Sequence, residues 1–76
     1  MTDKYDVIFE GRRVSIPKWT KYLVQEVDGS IRALQEKPVF ASNFKVWSVL
    51  FGFSEEVHKG STGNSYEPVC KEISCI

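Results

Sequence analysis

The sequence predicts a mainly β, β-rich α+β domain: a small antiparallel sheet of two consecutive hairpins, a further strand and one short helix. Three observations predict it. Large apolar residues alternate on both sides of Gly11-Arg12, a second pair of apolar-rich segments flanks Asp28-Gly29, and proline closes each unit at Pro17 and Pro38. Gly-X and Asp-Gly pairs supply the positive φ that two-residue hairpin turns require, and proline has no N–H to give a central strand. With 76 residues the chain is one domain at most. That domain is expected over residues 1–60, with 61–76 a flexible loop and tail that either adds an edge strand or stays disordered.

In the first hairpin Tyr5, Val7, Phe9, Val14 and Ile16 fall on one face. A turn at Gly11-Arg12 sets Phe9 opposite Val14, Val7 opposite Ile16, and Glu10 opposite Arg13 as a cross-strand ion pair. The second hairpin pairs residues 22–27 with 30–35 around a type I′ turn at Asp28-Gly29. Its register sets Leu23 opposite Leu34, Val24 opposite Ala33 and Gln25 opposite Arg32. Apolar residues occur on both of its faces, so the core face stays open.

Residues 44–53 fit two patterns. As a helix, Phe44, Trp47, Leu50 and Phe51 form a stripe behind a Ser42 or Asn43 cap. As a strand, Phe44, Val46 and Ser48 oppose Lys45, Trp47 and Val49. Branched and aromatic residues put the strand ahead, near residues 44–49. Residues 54–59, with acids first, a base last and Gly60 beyond, have the order that suits a short helix.

Composition bounds the chemistry. Ten Lys/Arg balance ten Asp/Glu, which argues against a polyanion binder that works by releasing many counterions. Two Trp, three Tyr and five Phe are expected to build a small core without disulfides or metal. No apolar run approaches the roughly 18 residues of a membrane span. The polar, acidic start differs from a signal peptide, so a cytoplasmic protein is expected. There Cys70 and Cys75 are tail thiols. With His58 they make three soft ligands against the usual four of structural zinc, so neither metal nor cofactor is expected. His58 reads as a solvated surface group. Asp6, Glu10, Glu26, Asp28 and Glu36 do not read as a paired acid and base, because so small a chain hardly builds the necessary cleft. The reading is that of a protein without catalytic residues.

Aromatic residues exceed what a minimal core needs. Trp, Tyr and Arg are enriched at interface hot spots, and Trp19, Tyr22, Arg32 and Trp47 are the candidate interaction residues. An open edge strand could pair with a partner or with a second copy as a homodimer. The alternative is a small β-domain binding single-stranded nucleic acid, with Arg12, Arg13, Lys18 and Lys21 on phosphates and Trp19 stacked on a base.

One stretch carries a resemblance. Ile16-Pro17-Lys18-Trp19-Thr20-Lys21-Tyr22-Leu23-Val24, then Val27-Asp28-Gly29-Ser30-Ile31, Lys37-Pro38 and Trp47 resemble short orphan accessory proteins of tailed bacteriophages and prophages. In those a proline and an aromatic lead into a strand, an Asp-Gly hairpin, a proline and a tryptophan. The resemblance spans residues 16–47 and brings no catalytic residue with it. It implies a phage-encoded modulator that occupies and diverts a protein of the host cytoplasm.

Overall fold

Eight strands and one 3₁₀ turn are formed in a computed structural model that describes residues 4–60 and 66–75. The strands are β1 (Lys4–Phe9), β2 (Arg12–Pro17), β3 (Tyr22–Gln25), β4 (Ile31–Leu34), β5 (Val39–Ala41), β6 (Val46–Ser48), β7 (Ser54–His58) and β8 (Val69–Glu72), followed by the turn Ile73–Cys75. All pairings are antiparallel. A four-stranded sheet of order β7-β4-β3-β8 is accompanied by two separate hairpins, β1-β2 and β5-β6. The fold is mainly β.

The first hairpin keeps its expected apolar face but turns one residue earlier. Glu10 and Gly11 both have positive φ, 50° and 78°, the signature of a type I′ turn. Val7 therefore faces Val14, Tyr5 faces Ile16 and Phe9 faces Arg12. The expected Glu10–Arg13 pair does not form. Glu10 instead meets Lys71 at 2.9 Å, a contact that helps hold a non-glycine residue in the left-handed region. Because the pairing moved by two residues, every side chain kept its face.

The second hairpin differs by one residue, with a larger consequence. Tyr22 pairs with Leu34, Leu23 with Ala33, Val24 with Arg32 and Gln25 with Ile31. Its loop is three residues, closed by Glu26 N–H donating to Ser30 O at 2.9 Å and Gly29 N–H donating to Glu26 O at 2.9 Å. Gly29 has φ +89°, and Ser30 N–H donates to Asp28 Oδ1 at 2.9 Å. This is a type I turn ending in a left-handed glycine, the other hairpin that Asp-Gly permits. A one-residue slip turns β4 over relative to β3. Leu23, Ala33 and Ile31 now share one face, while Val24 and Leu34 share the other. All five are fully buried.

On the first face lies the main core, where Phe9, Val14 and Ile16 pack with Leu23, Ile31 and Ala33. Glu55, Ala33, Leu23 and Lys71 form one row across the sheet. Lys4 meets Glu55 at 2.7 Å and Glu10 meets Lys71 at 2.9 Å, so β1 runs along that row, across the strands beneath it. Six residues of β1 span roughly 20 Å and four strands roughly 14 Å, so the hairpin is long enough to clasp both edges. Exposed ion pairs contribute only about 0–1 kcal/mol each; they orient the hairpin, and burial of Phe9, Val14 and Ile16 holds it.

The short helix expected over 54–59 is a strand. β7 pairs along the open edge of β4, and Val57 packs against the core. So few residues make a poor isolated helix, whereas the β4 edge supplies backbone partners directly. Residues 44–53 contain one short strand, β6, and otherwise turn and loop. β8 lies on the other edge, beside β3. The loop expected at 61–65 and the Cys75 side chain lie outside the described residues.

Gly11→Ala and Gly29→Ala both force a side chain to positive φ, a cost of roughly 1–2 kcal/mol. A Cβ at Gly11 meets open space, but at Gly29 it comes within 2.7 Å of the Tyr66 ring. In urea titrations Gly29→Ala is expected to unfold well before Gly11→Ala. Equal midpoints would show that the Tyr66 ring simply moves aside.

Candidate functional site

Residues 39–53, here called the arm, reach the second face of the sheet, where Val46 borders Arg32 and Glu56. Its two ends are tied to opposite ends of the β3-β4 pair. At one end the Trp47 indole N–H donates to Gln25 O at 3.3 Å, and Trp47 backbone N–H donates to Glu26 Oε1 at 3.2 Å. At the other end Gln35 N–H donates to Phe53 O at 3.0 Å and Phe53 N–H donates to Gln35 Oε1 at 3.2 Å. Phe40 packs against Trp47 in a tilted arrangement, ring centroids 5.0 Å apart. The β5-β6 strands are only three residues long, too short to stand without the body beneath them.

The arm carries the largest apolar exposure among the described residues. Phe44 is 78% exposed, Leu50 84%, Phe51 69%, and Val39 and Phe53 62% each; Val46 is also exposed. Phe44 also forms one side of a groove of about 690 Å³ with Phe40, Val27, Tyr66 and Pro68, with Lys45 and Glu67 at its rim. Tyr66 is a fixed wall of that groove. Its N–H donates to Val27 O at 3.1 Å, and Arg12 lies over its ring at 5.0 Å.

The four candidate interaction residues do not form one patch. Trp19 is half-buried, packed against the core and 5.6 Å from the Phe53 ring. Trp47 is half-buried and spends its indole N–H on the body. Tyr22 is half-buried in β3 and borders a hollow of about 430 Å³ with Thr20, Lys21, Glu72, Ile73 and Ser74. Arg32 is exposed and borders a separate depression with Glu26, Asp28, Val46 and Glu56. The arm's exposed residues are the ones sequence reasoning passed over. Their signal was present: residues 39–53 hold a single charge, Lys45, and follow neither helical nor strand periodicity throughout.

The basic set is also divided. Arg12 is half-buried and donates to Gly29 O at 2.6 Å and to the Gln25 carboxamide, whose own nitrogen donates to Glu67 O at 2.9 Å. Arg12 thus joins hairpin one to the second loop and to the chain before β8. Arg13 points to the opposite face of β2 and is exposed, as are Lys18 and Lys21.

His58 is half-buried at the end of β7 and pairs with Ile31. Cys70 is a free, half-buried thiol whose pKa burial pushes up, which leaves it a poorer nucleophile. Among the described residues no group of three His, Cys, Asp or Glu side chains could hold a metal ion. No helix among them is long and apolar enough to cross a membrane. Compared with protein families, curated proteins and solved structures, the chain matches none.

Glu26 anchors the arm. Burial raises its carboxyl pKa above the ordinary 4.5, against the opposing pull of the Trp47 N–H and Arg32, and with a further push from Asp28. A raised pKa means that the folded state holds the proton more tightly than the unfolded chain. The resulting stabilisation is full below the unfolded pKa and lost as pH rises through the folded one. Asp28 behaves oppositely: hydrogen bonds from Ser30 lower its pKa, and its contribution is lost in acid. Glu26→Gln keeps an acceptor for Trp47 N–H and removes the buried charge. Its melting temperature is expected to exceed wild type at pH 7, with the gap closing below about pH 4.5. A gap independent of pH would show that the carboxyl is not the cause.

Proposed function

We propose that this chain is a non-catalytic protein-interaction module whose contact surface is the outer face of the arm. The observation that carries the reading is the exposure of Phe44, Leu50, Phe51 and Phe53 on one stretch whose single charge is Lys45. Exposed apolar patches of more than a few hundred Å² mark contact sites. Aromatic side chains on such a patch supply large contact area with few rotors to immobilise. The arm would act by occupying a partner's surface, with Trp47 and Glu26 fixing its position from behind. The resemblance to phage accessory proteins makes a host protein the natural partner.

Single-stranded nucleic acid is the second reading. It is weakened because Arg12 is committed to Gly29, Gln25 and Tyr66, and because Trp19 packs into the core.

Two measurements separate these readings. Immobilised wild type is expected to retain a discrete protein from bacterial host lysate, which can then be purified and titrated. Phe44→Ser and Phe51→Asp are expected to weaken that binding by about 30-fold or more, with far-UV circular dichroism unchanged. Retention that ignores both substitutions overturns the reading. So does salt-sensitive gel retardation of single-stranded DNA or RNA with no protein retained.

A further inference from the structure

We propose that, in the free protein, the arm's outer face is covered by a second copy of the same chain in a two-fold symmetric dimer. This rests on the reading of the arm as a contact surface and names its first occupant. At their observed exposures Val39, Phe44, Leu50, Phe51 and Phe53 leave roughly 650 Å² open per chain, within the range of the about 800 Å² per partner of a standard specific interface. That is a large share of a total accessible surface of 5170 Å².

Charge decides the kind of partner. A two-fold interface places the same patch on both sides, so a charge at the axis faces its own sign and a charge away from it faces whatever lies at the other end of the patch. From residue 39 to 53 the only formal charge is Lys45, which sits with φ 54° in the loop joining β5 to β6. Leu50 and Phe51 lie toward the opposite end of the arm, near the Gln35 tie. An antiparallel arrangement therefore sets the tip of one arm against Leu50 and Phe51 of the other and keeps the two Lys45 ammonium groups apart.

The remaining surfaces are less suited to self-pairing. β7 carries Glu55 and Glu56 and β8 carries Lys71 and Glu72, charges of the kind that guard sheet edges. The outer face of the first hairpin sets Ile8 among Lys4, Asp6 and Arg13. The self-contact thus moves from an edge strand to the arm. A host partner would bind by displacing the second copy.

Equilibrium sedimentation of the full chain, from about 1 µM to about 200 µM, tests this. The apparent mass is expected to rise from 8.7 kDa to twice that value and stop. Leu50→Asp and Phe51→Asp are expected to weaken the association by about 30-fold or more with unchanged circular dichroism. Phe44→Ser at the tip serves if either fails to fold. Ile8→Asp, on the other outer face, is expected to associate like wild type. A wild type that stays at 8.7 kDa throughout overturns the proposal, as does dimerisation unchanged in the arm variants or a mass that climbs without limit. A monomeric wild type whose arm variants still lose a captured host protein removes the second copy but keeps the contact surface. A dimer broken by arm variants that still capture that protein normally keeps the second copy and removes the host-binding role.

Discussion

Two-sided burial of the β3-β4 pair is the constraint from which the rest of the molecule follows. Leu23, Ala33 and Ile31 close one face, and Val24 and Leu34 close the other, none with accessible surface. A chain of 76 residues cannot afford two independent cores, so a single central hairpin serves both layers. Both faces need cover. The first hairpin supplies it on one side with Phe9, Val14 and Ile16, and on the other side the arm is bonded to the end of β3 through Trp47. β7 and β8 then pair with the two remaining backbone edges.

The two layers are built differently. The first hairpin buries one clean apolar face and clasps both sheet edges through Lys4–Glu55 and Glu10–Lys71. The arm has three-residue strands and is tied down at its two ends by Glu26, Gln25 and Gln35. Its inner ring is Trp47; its outer surface is Phe44, Leu50 and Phe51. This layer is thus anchored by a few hydrogen bonds and leaves its rings uncovered.

Much of this was legible in the sequence. The β class, both hairpins and the apolar face of the first could be read because period-two alternation survives a two-residue error in register. The second hairpin was harder, since Asp28-Gly29 suits both a two-residue and a three-residue loop. The Glu26–Ser30 backbone bond, and an Asp28 that lacks the positive φ a type I′ turn needs at both central positions, show which one forms. The charge order of residues 54–59 imitates a helix, and the β4 edge that claims Ser54–His58 lies twenty or more positions earlier. Side-chain type alone selects the candidate interaction residues. Trp19 and Trp47 were absorbed by packing, while Phe44, Leu50 and Phe51 stayed outside. Nothing local distinguishes an inward from an outward ring in a run with almost no charge; the distinction comes from where Glu26 and Gln35 pin the chain.

Native-state hydrogen exchange on dilute, monomeric protein tests the central claim most directly, that a doubly buried β3-β4 pair carries a separable arm. Amides of Leu23, Val24, Ala33 and Leu34 are expected to exchange only through global unfolding, while those of residues 39–53 open at distinctly lower free energy. Arm amides as slow as those of β3 and β4 would contradict it, since the arm would then be part of the cooperative core.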